Sequence, residues 1–188
     1  MLSKTVIDAP FRVLLIDATG NVGGFEWETS SRLLSALGRR GVALVDVEPL
    51  KVEDVSDIGR RTDALSTATC VVLLASEQGP PGRGLAVWEW IGSNVAGPKL
   101  AAVCQWGAQD PALTDAVLKA PSAWAPIGIA PETAVGPREG GLFLLKFLTE
   151  MDLHSDERMT GRMAWFAWRK ADELVKRRGM AVRFGLRA

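Results

Sequence analysis

The sequence contains no tyrosine, a single histidine, His154, and two cysteines, Cys70 and Cys104. One histidine excludes a site with several histidine ligands, and the two cysteines do not have a metal-ligand spacing. Both cysteines lie inside apolar runs, so we expect no disulfide and reduced thiols, as in the cytoplasm. The N-terminal residues contain no apolar core of signal-peptide length, which also favours a cytoplasmic protein.

The chain also lacks a net charge and a long apolar run. Lysine plus arginine and aspartate plus glutamate both total 22, so the overall charge does not favour nucleic acid or a membrane surface as a partner. No apolar run approaches the ~20 residues of a membrane span. Residues 155–188 nevertheless contain nine basic and four acidic side chains. A basic C-terminal segment of this kind forms a solvated helix face or a surface for a partner.

Short apolar runs alternate with helical patterns along the chain. With 188 residues, of which 47% are hydrophobic, we expect one domain over residues 1–188, with residues 1–10 flexible. The apolar runs predict strands, and the spacing of apolar residues between them predicts helices. The expected strands are 11–18, 42–47, 70–75, 99–105, 124–129 and 180–186, and the expected helices are 26–40, 53–68, 85–95, 111–119, 140–151 and 156–178.

Continuous apolar strands separated by helices predict a mostly parallel sheet of about six strands covered by helices on both faces. The expected fold class is therefore α/β, as a three-layer α/β/α sandwich. In open sheets of this class, ligands and substrates bind at the carboxyl ends of the strands. The informative positions are therefore the residues that follow the predicted strands.

A glycine-rich loop, Gly20 to Gly24, follows the first predicted strand. Backbone N–H groups in such a loop can point at a phosphate when a helix begins directly after it. The loop lacks the lysine of a phosphate-binding Walker loop and the glycine order of a dinucleotide-binding fingerprint. We therefore favour a plain glycine-rich connection, and keep nucleotide binding as an alternative.

The third and fourth predicted strands end in turns that carry a family resemblance. The fourth strand continues into Cys104-Gln105-Trp106-Gly107, and the third is followed by Gln78-Gly79. In these turns and in the order of its elements, the chain resembles the caspase-like fold and in particular the CHAT branch of cysteine peptidases. In that family one strand ends in a His-Gly turn and the next ends in the nucleophilic cysteine. The resemblance extends to two further segments. The first is the opening of the first helix, Phe25 to Glu28, and the second is the last predicted strand, which resembles the closing edge strand of that family.

The resemblance implies a protein without catalysis, because glutamine cannot act as the base that the family takes from histidine. A free thiol has a pKa of ~8.5 and is only a few per cent ionised at neutral pH. We therefore expect a catalytically silent domain that acts by binding a protein partner in bacterial signalling or defence, without cofactor or metal. Cys104 and Gln78 are then remnants of a catalytic pair, and the residues expected to line a pocket beside them are Asp17, Gly79, Trp106 and Gly107.

Two other functions are kept as alternatives. The first is an active cysteine hydrolase in which Cys104 is the nucleophile and the base is unusual or comes from another chain. The second is a flavodoxin-like domain that binds a nucleotide or another small ligand through the Gly20 to Gly24 loop. Reactivity of the Cys104 thiol and the distance between residues 78 and 104 discriminate between these functions.

Overall fold

The computed structural model describes residues 5–20, 25–77, 79–120 and 122–188, and over residues 25–28 it describes the backbone alone. Gln78, residues 21–24 and the side chains of Phe25 to Glu28 therefore lie outside the described part. The described chain forms eight strands: β1 (Val6–Ile7), β2 (Val13–Asp17), β3 (Leu50–Lys51), β4 (Cys70–Ser76), β5 (Leu100–Trp106), β6 (Ile127–Pro131), β7 (Met159–Thr160) and β8 (Phe184–Arg187).

Six of these strands form one mostly parallel sheet. Their order across the sheet is β3-β2-β4-β5-β6-β8, and only β8 runs antiparallel to its neighbour. Strands β2, β4, β5 and β6 are buried along their whole length. Burial on both faces explains why these segments appear in the sequence as continuous apolar runs rather than as an alternation of apolar and polar residues.

Helices cover both faces of the sheet. They are α1 (Phe25–Gly38), α2 (Ser56–Gly59), α3 (Thr62–Thr67), α4 (Arg83–Asn94), α5 (Pro111–Leu118), α6 (Pro137–His154) and α7 (Gly161–Arg177). Apolar side chains of α1, α6 and α7 share one core with one face of the sheet, and those of α2 to α5 share a second core with the other face. The predicted three-layer α/β/α sandwich is confirmed.

The direction in which the chain crosses the sheet reverses between β2 and β4. From β2 the chain crosses outward to β3, and it then returns past β2 to pair β4 on the other side. The connections that leave the carboxyl ends of β2 and β4 therefore go to opposite sides of the sheet. A switch of this kind is the usual position of the ligand crevice in open α/β sheets.

The prediction of a strand over residues 42–47 is wrong. Only Leu44 forms an isolated bridge, to Val13, and the next pairing with β2 is that of Leu50 with Ile16. Between these two pairings the edge segment advances by six residues, whereas β2 advances by three. The intervening residues of the edge segment therefore leave the sheet. Asp46 there forms an ion pair with Arg61, and the surface position lacks the burial that would hold a regular strand.

Two predicted helices are also corrected. The helix expected over 53–68 is divided into the short helices α2 and α3, because the chain turns at residues 60–61. The helix expected over 156–178 begins only at Gly161. Thr160 caps it by accepting a hydrogen bond from the N–H of Met163, and residues 159–160 pair with Val6–Ile7 of β1. Val6 and Ile7 belong to the first ten residues, for which the sequence predicts flexibility.

The last strand closes the edge of the sheet beside β6. Phe184 stacks on Phe143 of α6, with ring centroids 3.8 Å apart. The indole Nε1 of Trp168 in α7 donates to the carbonyl of Phe184 at 2.8 Å. Helices α6 and α7 therefore hold β8 in place through an aromatic stack and a hydrogen bond.

In the part of the chain that the structure describes, no helix combines the length and apolarity needed to span a membrane.

Candidate functional site

The ends of β4 and β5 lie side by side at one edge of the sheet. The two strands pair in parallel from Cys70 with Leu100 to Ser76 with Trp106. Cys104 pairs with Leu74, so it lies two residues before the end of its strand. Because Gln78 lies outside the described residues, its pairing with Cys104 as a remnant of a catalytic pair stays a prediction.

The thiol of Cys104 is enclosed by protein atoms. Cys104 is 0% exposed, and a Cβ placed on Gly140 of α6 would lie 2.6 Å from its Sγ and 3.3 Å from the Nε1 of Trp106. Burial raises the pKa of the Cys104 thiol to about 12, and the opposing effect of the neighbouring Trp106 indole is smaller. Burial also raises the pKa of the Cys70 thiol.

Asp17 and Trp106, which were expected to line a pocket, are buried on the same face of the sheet as Cys104. The carboxylate of Asp17 accepts hydrogen bonds from the N–H and hydroxyl of Thr19 and from the hydroxyl of Ser30. These bonds tie the end of β2 to α1. Trp106 is 2% exposed. Both side chains therefore contribute to the interior in this structure.

A cleft of about 480 Å³ lies on the other face, at the carboxyl ends of β4 and β5. Its walls are the 79–82 loop, the first turn of α4, the 108–110 loop and the first turn of α5, together with Glu77 and Gln105. Of the residues expected to form a pocket, Gly79 lines this cleft. Gly107 lies beside it with φ +87°, and a Cβ there would collide with the side chain of Glu77.

Successive residues of a strand point to opposite faces of the sheet. Because Cys104 points toward α6, Gln105 points toward α4 and α5 and reaches the cleft. Its Oε1 accepts a hydrogen bond from the backbone N–H of Asp110 at 2.9 Å. This bond identifies the oxygen of the amide and fixes the orientation of the whole side chain.

Two carboxylates of the cleft are held by backbone donors. Glu77 Oε2 accepts from the N–H of Ala108 at 2.7 Å. Asp110 caps the N-terminus of α5, where its Oδ1 accepts from the N–H groups of Ala112 and Leu113. The loop after β5 is thus fixed at several points, and the polar wall of the cleft is well defined.

The opposite wall contains the N-terminus of α4. Gly82, with φ +73°, occupies the capping position and supplies no side-chain hydrogen bond. A Cβ on Gly84 would lie 2.8 Å from Cδ2 of Leu113 and 3.1 Å from Cβ of Ala75. Glycine at this position lets the first turn of α4 approach the sheet and α5 closely.

The described lining of the cleft contains neither a cysteine nor a histidine. His154 is the last residue of α6, where its ring packs edge-on against Phe166 and its Nε2 lies 3.6 Å from Glu150. The arrangement offers hydrogen-bond donors and acceptors but no nucleophile with an imidazole base.

Sequence reasoning missed the role of Gln105 and of the α4 N-terminus. Alternation of faces along the strand could have indicated that Gln105 points away from its neighbour Cys104, which lies inside an apolar run. The segment Pro80-Pro81-Gly82 before a helix could have indicated a helix N-terminus without a side-chain cap.

The described residues contain no group of three or more histidine, cysteine, aspartate or glutamate side chains placed to hold a metal ion. A comparison with models of protein families finds no match. A comparison with curated proteins finds none either.

Proposed function

We propose that the chain is a catalytically silent domain of the caspase-like fold that acts by binding a protein partner at the cleft beside β4 and β5, in bacterial signalling or defence. The observation that carries this proposal is the enclosure of Cys104. The cysteine that the resemblance equates with the nucleophile points away from the cleft, into the core beneath α6.

The state of the thiol argues against the alternative of an active cysteine hydrolase. Because burial raises the pKa of this thiol to about 12, the protonated form predominates at pH 7. Nucleophilic cysteines have a lowered pKa and access to substrate, and Cys104 has neither. Attack by its sulfur on a peptide would require α6 to move away from the sheet.

The cleft supports a role in binding. It is open, and several of its polar side chains are held in defined orientations by backbone hydrogen bonds. Fixed polar groups at the carboxyl ends of parallel strands provide specificity without catalysis. The element order and the edge strand β8 agree with what the resemblance implies, although the order of elements alone identifies no activity.

Peptidase activity tests the silent state directly. The wild-type protein and Cys104→Ala are incubated with a mixture of fluorogenic peptides that covers all residue types before the scissile bond. We expect the two proteins to give the same background signal. Cleavage by the wild type that is lost in Cys104→Ala would overturn the proposal.

Site-specific crosslinking tests the binding role. A photoreactive amino acid replaces Ala108, which is exposed on the rim of the cleft, and in a control it replaces Ala120, which is exposed at the far end of α5. In cells that express the two variants we expect a defined protein adduct at position 108 and none at position 120. Equal labelling at the two positions would contradict binding at the cleft.

A further inference from the structure

A second cavity lies on the other face of the sheet, between α1 and α6. It is a groove of about 430 Å³, and both helices belong to the layer that covers Cys104. The cleft beside α4 and α5 lies on the opposite face of the sheet. The groove is therefore separate from the cleft of the proposed function.

The floor of the groove is apolar. Leu33 and Ala36 of α1 line one side of it. Leu142 and Leu145 of α6 line the other side. These two leucines pack against the core beneath them, but each remains partly exposed. Contact with an apolar group would remove this surface from water and would stabilise a complex.

Gly141 leaves an open space in this floor. A Cβ on Gly141 would meet nothing within 4 Å, whereas the neighbouring Gly140 is in close contact with Cys104. Glycine destabilises a helix interior relative to alanine, and the packing of the described chain does not account for glycine at position 141. The open space lets an occupant of the groove lie close to the backbone of α6.

The rim of the groove is basic. Arg32, Arg138 and Arg178 line it, and its described lining contains no acidic side chain. No described carboxylate forms an ion pair with Arg138 or Arg178. The side chain of Glu139, which follows Arg138 in the chain, lies against Gly136. The rim therefore attracts an anion.

Arg138 occupies an unfavourable position for a cation. It is the second residue of α6, and the capping residue Gly136 supplies no side-chain hydrogen bond there. The helix dipole places partial positive charge at this end of α6, which disfavours a nearby guanidinium. An anion beside Arg138 would offset this repulsion, and the fork of an arginine side chain matches a carboxylate or a phosphate.

The groove has the size of a small-molecule site. Along α6 it extends from Pro137 to Leu145, which is about 12 Å at the rise of an α-helix. Small-molecule pockets have volumes of about 300–1,000 Å³, whereas a stable protein interface uses about 20–30 residues on each side. Ten residues line this groove. Its size therefore favours a small molecule over a protein segment.

We propose that the groove between α1 and α6 binds a free amphipathic anion, a molecule with an apolar chain and one carboxylate or phosphate head. The chain lies over Gly141, between Leu33 and Leu142. The head lies near Arg138 and Arg178. This inference goes beyond the proposed function and depends neither on a protein partner at the cleft nor on the state of Cys104.

A series of probes tests the ligand class. Octanoate and octyl phosphate are titrated into ¹⁵N-labelled protein below the concentrations at which they form micelles, and the backbone amide signals of Ala36 and Gly141 are followed by NMR. Octanol and octyltrimethylammonium keep the chain without the negative charge, and acetate and inorganic phosphate keep the negative charge without the chain.

We expect octanoate or octyl phosphate to bind about tenfold or more tightly than each control. The better of the two identifies the head group. The absence of a saturable shift with both anions, or equal or tighter binding of octyltrimethylammonium, would overturn the proposal.

Gly141→Leu tests the floor of the groove. The new side chain enters open space, and leucine favours a helix over glycine, so we expect a folded protein that loses no stability. The leucine fills the floor and should weaken the better anion at least about tenfold. Ser93→Leu adds the same side chain to the exposed surface of α4 and should leave affinity within about twofold. Equal affinity for wild type and Gly141→Leu would overturn the proposal.

Arg138→Gln tests the rim. It removes the charge from an exposed side chain and should weaken the better anion about tenfold, because a hydrogen bond between two charged groups is lost. Arg60→Gln, at the end of α2 on the other face of the sheet, removes the same charge away from the groove and should leave affinity within about twofold. Equal affinity for wild type and Arg138→Gln would overturn the proposal, and this measurement remains decisive if Gly141→Leu changes the packing of α6.

Discussion

The two faces of the sheet differ sharply at the end of β5. On one face, Cys104 and Trp106 are packed against Gly140, and no space remains around the thiol. On the other face, Gln105 lies in an open cleft among fixed polar groups. One step along the strand therefore separates a closed interior from an open cleft lined by polar groups.

This difference shows why a reactive residue type is not sufficient evidence for a reactive site. The cysteine has the more versatile chemistry, but burial raises the pKa of its thiol and so disfavours the nucleophilic thiolate. The glutamine is neither a nucleophile nor an acid or base, but its amide is oriented by Asp110 and accessible from the cleft. The direction of the side chain decides which of the two neighbours meets a ligand.

The largest expected effect comes from removing a ring on the closed face. We expect Trp106→Ala to lower the free energy of unfolding by about 3–5 kcal/mol, because it leaves a large cavity. Urea denaturation followed by circular dichroism measures the change. Trp165, which is 37% exposed on α7, is the matched control, and its substitution by alanine should cost less than about 1 kcal/mol. Equal costs would show that the closed face is not tightly packed.

Adding one methyl group to the same face should also destabilise it. In Gly140→Ala the new Cβ would meet Cys104 Sγ at 2.6 Å and Val135 Cγ1 at 2.9 Å. We expect a loss of about 1–3 kcal/mol, which is partly restored when Cys104→Ala removes the sulfur.

The adjacent Gly141 is the control for this substitution. A Cβ there meets nothing within 4 Å, and alanine favours a helix interior over glycine by about 0.5–1 kcal/mol. Gly141→Ala should therefore stabilise the protein. The same sign for both substitutions would contradict the close approach of α6 to Cys104.

The buried thiol should also make stability depend on alkaline pH. The folded pKa of Cys104 is raised to about 12, whereas an unfolded thiol ionises near 8.5. The contribution of this protonated thiol to stability is therefore fully present below about pH 8.5. Above that pH the thiol lowers the free energy of unfolding by about 1.4 kcal/mol per pH unit. The free energy of unfolding is measured from pH 7.5 to 9.5 for the wild type and Cys104→Ala.

The difference between these two proteins isolates the thiol. Lys99 acts in the opposite sense, because burial lowers the pKa of its ammonium group, and its contribution is common to both proteins. We expect Cys104→Ala to have a shallower alkaline loss. Parallel pH profiles would show that solvent reaches the thiol.

The smallest expected effect concerns the polar wall of the cleft. Asp110→Ala removes the acceptor for two N–H groups at the start of α5 and should cost about 1 kcal/mol. Asp110→Asn keeps an acceptor and should cost only a few tenths. Thermal unfolding measures the loss of stability in each variant. An equal loss would mean that the negative charge of Asp110, rather than its capping hydrogen bonds, fixes this wall of the cleft.

The central strands were predictable because burial on both faces leaves a signal in the sequence itself. Residues 70–75 and 100–104 are apolar throughout, and the structure places β4 and β5 within one residue of the predicted bounds 70–75 and 99–105. The edge of the sheet gives no such signal. Val47 belongs to a run that resembles a strand, but it is 83% exposed, because the edge chain leaves β2 there.

The candidate site was predictable in position but not in composition. The carboxyl ends of the third and fourth predicted strands do adjoin the cleft, as the fold class requires. The choice of Cys104 followed from its chemistry and from a short motif. A strand's register relative to its covering helices decides which side chain faces outward, and that register depends on tertiary packing that a local sequence does not encode.

The strand order also has a consequence for the rate of folding. The backbone N–H of Arg12 donates to Thr69 Oγ1 at the start of the contact between β2 and β4, and these residues are 57 positions apart. Such a loop must close before the central pairing gives any stability. We therefore expect refolding in milliseconds or slower rather than microseconds. Because β4 and β5 also pair across a helix, the cleft cannot exist in a chain that has formed only its local structure.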